Sequence, residues 1–133
     1  MENVERIQFV MSQMHGSETG ALLKNEIPEW LKGVNDPVPE NVSYYLIQRL
    51  RDEALIIART ENPAYDRLTR KAIDILNNGG YIKFIAIELN EKLHQQRIAK
   101  YTYRIQLSIA IATAIAAIYY ATEVVHRLSN WCL

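Results

Sequence analysis

Apolar residues recur at helical spacing from the start of the chain. Val4, Ile7, Val10, Met11 and Met14 fall on one face and predict a helix from about Glu2 to Met14, which His15-Gly16-Ser17 breaks. Ala21-Leu22-Leu23 is a short apolar run with room for a minor strand. Asn25 reads as an N-cap, with Ile27, Trp30 and Leu31 following before Gly33 ends a short helix. Residues 33–39, which contain Asn35, Asp36, Pro37 and Pro39, are a loop by composition. A stronger helix begins at Glu40 and carries Val42, Tyr45, Leu46 and Leu50. Residues 54–60 are then rich enough in β-branched side chains for a strand, Glu61-Asn62-Pro63-Ala64 is a turn, and residues 65–68 alternate as a returning strand. The alternative is that residues 55–60 continue the preceding helix. Thr69 can cap a helix bearing Ala72, Ile73, Ile75 and Leu76, and Asn77-Asn78-Gly79-Gly80 stops it, glycine supplying the left-handed conformation.

Beyond Tyr81 the pattern changes scale. No Pro or Gly interrupts the chain, and Ile82, Ile85, Leu89, Leu93 and Ile98 keep a rough helical spacing. Residues 105–125 then hold a single charged side chain, Glu123. A helix rising ~1.5 Å per residue needs roughly 20 apolar residues to cross a ~30 Å hydrocarbon layer, which this segment supplies. Gln106, Ser108, Thr113 and Thr122 make it a moderately hydrophobic span. The competing expectation is a buried, Ala-rich core helix, but a helix apolar all round needs partners on every side, and few other helices are on offer. The predicted layout is therefore a domain over 1–80, a polar connecting helix over 81–104, a transmembrane helix over 105–125 and a short tail over 126–133. One rod from about Tyr81 to about Leu128 would couple the domain mechanically to the span.

The flanks orient the span. Lys92, Arg97, Lys100 and Arg104 precede it and only Arg127 follows, so the positive-inside rule puts the N-terminal side in the cytoplasm. Tyr101, Tyr103 and Trp131 fall near the two expected interfaces. Small residues recur every fourth position, with Ser108, Ala112 and Ala116 on one line, a spacing that lets helix backbones approach in lipid and favours a homo-oligomer. Gln106, Thr113 and Tyr120 fall seven apart; they either line an interface or narrow pore, or are scattered polar residues tolerated in a single helix.

Charge narrows the functional classes. The chain is neutral overall, yet residues 1–80 hold 12 acids and 9 bases whereas residues 81–104 hold 2 acids and 5 bases. A nucleic-acid-binding domain ordinarily carries a basic footprint, because phosphate neutralisation supplies much of its affinity, and residues 1–80 lack one. The first residues have neither a basic stretch nor an apolar one, so the expectation is that this part stays in the cytoplasm. Cys132 is the single cysteine, and His15, His94 and His126 stand in no recognised metal-ligand spacing. Glu123 and His126, three apart, suggest an interfacial hydrogen bond before a metal or proton site. No phosphate-cradling glycine loop follows a strand. The expectation is a non-enzymatic protein with no catalytic residue, metal or cofactor.

The order helix, short strand, helix, helix, strand, turn, strand is that of a winged helix. The run containing Tyr65, Leu68, Thr69, Ala72, Ile75, Leu76, Gly79, Gly80 and Tyr81 is similar to the wing-and-following-helix segment of winged-helix domains, with Ala72 where that pattern commonly has Gly. In layout the chain resembles small uncharacterised bacterial proteins that join such a domain to one C-terminal transmembrane helix. The resemblance implies an α+β, mostly helical fold and a bacterial inner-membrane location. It also implies a recognition helix over residues 40–52, with Arg49, Arg51 and Arg67 as nucleic-acid contacts if the domain binds DNA; Arg59, Arg70 and Lys71 lie on or beside the wing. Glu40, Asp52, Glu53, Glu61 and Asp66 counterbalance them on the same elements. Winged helices also serve as protein-interaction modules, and this balance favours that use. Three functions stay open: an adaptor that binds a cytoplasmic protein partner from the membrane, an oligomerising effector that perturbs the bilayer, and a membrane-tethered DNA-binding regulator.

Overall fold

The computed structural model describes residues 1–17 and 19–133. The protein is mostly helical, with one small antiparallel sheet and a long C-terminal helix. Its order is α1 (Asn3–His15), α2 (Leu23–Gly33), α3 (Glu40–Asp52), β1 (Ile56–Ala58), β2 (Asp66–Leu68), α4 (Arg70–Asn77) and α5 (Tyr81–Trp131). Two units divide the chain, Met1–Glu88 and Leu89–Leu133.

In the first unit most of the predicted apolar positions face one core, the exception on α3 being Tyr45, which is exposed. Ile7, Val10, Met11 and Met14 enter it from α1, Leu23, Ile27 and Leu31 from α2, and Leu46, Ile47 and Leu50 from α3. Leu55 and Ile56 join from the strand side, and Ala72, Ile75 and Tyr81 close it. Arg6 fastens α1 to the loop after α2, its Nε and Nη2 donating to Asp36 Oδ2 and Oδ1 at 2.7 and 3.0 Å. That bidentate pair holds the Asp36 carboxyl below its ordinary range and raises the Arg6 guanidinium.

Several boundaries differ from the sequence reading for definable reasons. α2 starts at Leu23 rather than after an Asn25 cap, because the Leu22 carbonyl accepts from the Asn25 and Glu26 N–H groups, each at 3.0 Å. The minor strand at residues 21–23 shrinks to a single bridge, in which Ala21 and Asp66 exchange N–H···O bonds of 2.9 Å. Gly20 allows that approach: at φ +87°, a Cβ there would lie 3.0 Å from the Asp66 carbonyl oxygen. The continuation of α3 through residues 55–60 does not occur. Ala54 turns to φ +56° and the Leu55 N–H bonds back to the Leu50 carbonyl at 2.9 Å, which reverses the chain into β1.

β1 and β2 pair with Ile56 opposite Leu68, Ile57 opposite Arg67 and Ala58 opposite Asp66. Thr69 caps α4 as expected, its hydroxyl accepting from the Ala72 N–H at 3.3 Å and donating to the Ala54 carbonyl at 2.7 Å. Gly79 and Gly80 adopt φ +110° and +90°, and the Gly80 N–H reaches the Ile75 carbonyl at 2.9 Å, closing α4 before α5 begins.

Candidate functional site: an apolar helix and an arginine-bearing face

In the second unit, α5 carries a window of mean hydropathy 1.6 in which no residue is buried. The helix is long and apolar enough to span a membrane. Its exposed side chains include Ile105, Leu107, Ile109, Ile111, Ile115 and Ile118. The serine and threonine hydroxyls of residues 105–125 bond within the helix itself. Ser108 Oγ donates to the Arg104 carbonyl at 2.9 Å, Thr113 Oγ1 to Ile109 at 2.8 Å and Thr122 Oγ1 to Tyr119 at 2.8 Å. Back-bonding of this kind removes the cost of taking a bare hydroxyl out of water. Ser108, Ala112 and Ala116 are all exposed on the helix surface. At the far end Arg127 Nη2 donates to Glu123 Oε1 at 2.6 Å, so that pair is neutral as a unit, and His126 lies 3.4 Å from Asn130 Nδ2.

In the first unit the arginines separate into two groups. Four are held by carboxylates. Arg6 is paired with Asp36, Arg49 Nε donates to Glu53 Oε1 at 2.9 Å, Arg51 Nη2 sits 3.5 Å from the buried Asp66 carboxylate, and Arg59 Nη2 lies 3.2 Å from Glu61. Arg59 also donates to the Thr19 carbonyl. Arg67 and Arg70 have no hydrogen-bond or ion-pair partner among the described residues, and both are exposed. They line one hollow with Ile57, Leu68, Thr69 and Ile73.

The sequence offers Arg49 as a nucleic-acid contact and counts Glu53 among the acids that balance it. The structure places both in one polar cluster. Tyr81, fully buried, donates from its hydroxyl to Glu53, whose Oε1 and Oε2 each lie 2.9 Å away, while Arg49 Nη1 donates to Tyr45 OH at 3.0 Å. Lys71 Nζ donates to the Glu53 carbonyl at 2.8 Å. The hydrogen bonds that Arg49 donates to Tyr45 and Glu53 raise its guanidinium further above its ordinary value. Burial, then the hydrogen bond to Glu53, pushes the Tyr81 phenol up to about 12. Because the folded value exceeds the ordinary ~10 of tyrosine, this contribution to stability is complete below pH ~10 and disappears as pH rises toward about 12. The unfolding free energy is therefore expected to fall across that window, and Tyr81→Phe should flatten the fall relative to the parent chain in denaturant titrations at stepped pH.

Among the described residues no group of three or more His, Cys, Asp or Glu side chains is placed to hold a metal ion. Cys132 is exposed. No protein-family model, no curated protein and no solved structure matches the chain.

Proposed function

We propose that the chain is a membrane-anchored interaction protein. In this reading residues 105–125 cross the bacterial inner membrane, and the first unit is a winged-helix-like module that binds a protein partner in the cytoplasm. The observation that carries it is the apolar window of α5, in which nothing is buried. A helix whose isoleucines meet no other part of its own chain requires an apolar surrounding, and a bilayer provides one on every side. The internal bonds of Ser108, Thr113 and Thr122 are compatible with the same surrounding, since a helix in lipid satisfies its small hydroxyls from its own carbonyls.

Orientation follows from charge. Lys92, Arg97, Lys100 and Arg104 precede residues 105–125 and only Arg127 follows them, which favours a cytoplasmic first unit. The element order supports a winged helix: α1, a bridging residue, α2, α3 and a two-stranded hairpin follow one another. The wing segment departs from that family's usual run in two places, with two residues rather than one between Tyr65 and Leu68 and with Ala72 in place of Gly. Protein binding is favoured over DNA binding because Arg49 and Arg51, both on the helix that would enter the groove, are already engaged by Glu53 and Asp66. A DNA interface relies on many free cations, which this face lacks.

Fractionation of the expressed full chain tests the anchor. Retention in membranes through a carbonate wash, with release only by detergent, is the expected result. A monodisperse protein soluble without detergent would overturn the reading and make residues 105–125 the core of a soluble assembly. Protection of the first unit from protease in inverted vesicles would overturn the orientation.

A further inference from the structure

The hollow beside the hairpin has a chemistry that the adaptor reading leaves unspecified. It has a volume of about 400 Å³ and is lined by Ile57, Arg67, Leu68, Thr69, Arg70 and Ile73. Ile57 and Arg67 are register partners on β1 and β2, so their side chains share one face of the hairpin. Arg70 and Ile73 stand three apart on α4 and share one face of that helix. The hollow therefore joins two cations to two isoleucines, one of which, Ile57, is 51% exposed.

Two observations make this patch different from the rest of the unit. Every other arginine there, namely Arg6, Arg49, Arg51 and Arg59, is paired with a carboxylate of the same chain. Arg67 and Arg70 are not, among the described residues, although residues 1–80 carry more acids than bases. An acidic domain that leaves two neighbouring guanidinium groups without a carboxylate among the described residues presents a local positive site on a negative background. A strand residue as apolar and as exposed as Ile57 in the same hollow adds an apolar contact point.

We infer that this hollow docks an acidic segment of a partner protein, in which carboxylates pair with Arg67 and Arg70 and an apolar side chain between them packs on Ile57 and Ile73. Charge complementarity selects that occupant. Guanidinium groups bind carboxylates through paired N–H donors, and the isoleucines reward a side chain that a nucleic acid does not have. Two free arginines against the acidic surroundings would release too few counterions to hold DNA at physiological salt. The inference rests on the protein-binding reading above and assigns it a surface.

The test uses the full chain in nanodiscs of neutral lipid and a fluorescein-labelled peptide in which one leucine is flanked on each side by two glutamates. Anisotropy should report binding that weakens with salt, and the same peptide with glutamine in place of glutamate should bind far more weakly. Arg67→Gln and Arg70→Gln should each weaken binding ~5-fold, and the double variant more than either, as expected for exposed ion pairs. Ile57→Ser, at a position whose exposure spares the fold, should weaken it by a similar factor. Binding of the glutamate peptide that is unchanged in both arginine variants would overturn this surface while leaving the adaptor reading standing. No binding of the glutamate peptide by the parent chain would likewise overturn this surface alone, whereas tighter binding of a DNA duplex, lost in the same variants, would overturn both.

Discussion

Leu50→Ala lowers the unfolding free energy of Met1–Glu88 by ~2–5 kcal/mol, the cost of a cavity at a fully packed leucine. Leu50 has no exposed surface and stands at the end of α3. Its carbonyl accepts the Leu55 N–H at 2.9 Å, so the residue that fills the core also anchors the reversal into β1. α3 packs against α1, α2 and β1, and the hole left by alanine has rigid walls on several sides that cannot all collapse. A domain of this size has ~5–15 kcal/mol in all, so the variant is expected to lose a large part of its stability. Urea titration followed by Trp30 fluorescence measures the change, since Trp30 packs against the core whereas Trp131 is 91% exposed and can be replaced by Phe beforehand. Tyr44→Ala, on an exposed position of the same helix, should stay within ~0.5 kcal/mol. A Leu50→Ala loss as small as that of the Tyr44 variant would contradict the packing of α3.

The parts of this fold that the sequence makes legible are those in which local periodicity and tertiary packing agree. α3 shows both sides of this: Leu46 and Leu50 are buried as their spacing implies, whereas Tyr45, read on the same apolar stripe, is 43% exposed and Ser43 and Ile47 take its place in the core. Thr69 and the Gly79-Gly80 pair mark the two ends of α4 because capping chemistry is local. The reversal after α3 was less legible. Ala54 is not a residue that advertises a left-handed conformation, and only the burial of Leu55 and Ile56 against the helices makes that turn worth its strain. The bridge of Ala21 to Asp66 is equally invisible locally, since it depends on two segments more than forty residues apart.

The arginine face divides along the same line. Tyr45, Arg49 and Glu53 stand four apart in turn, and that spacing on a helix announces mutual contact, so the engagement of Arg49 could have been read from α3 alone. Tyr81 could not, because it reaches Glu53 from across the core. Nor does any local pattern distinguish Arg51, which meets the buried Asp66, from Arg67 and Arg70, which meet nothing among the described residues. What separates them is the pairing of the hairpin against α3 and α4. The same consideration explains why net charge is a blunt guide: a domain slightly acidic in total still leaves Arg67 and Arg70 without a carboxylate among the described residues, on one hollow.

Ile111→Arg combined with Ile115→Arg is expected to move the full chain out of the carbonate-washed membrane fraction. Each arginine near the centre of a span opposes insertion by ~2.5–3.5 kcal/mol, so the pair opposes it by roughly 6 kcal/mol. The native segment has little reserve against such a load, because Gln106, Ser108, Thr113 and Thr122 already dilute its isoleucines. Positions 111 and 115 also lie one turn apart on the same face, so neither guanidinium reaches a helix end, where a long side chain can extend to the headgroups. Asn41→Arg combined with Gln48→Arg adds the same charge to exposed positions of α3 and should leave the chain in the membrane fraction. If residues 105–125 were instead the core of a soluble assembly, the span variant would change sedimentation in the soluble fraction of a parent protein that never entered the membrane. The two surroundings therefore give different results with one pair of substitutions, and the difference lies in where the parent chain is found before any residue is changed.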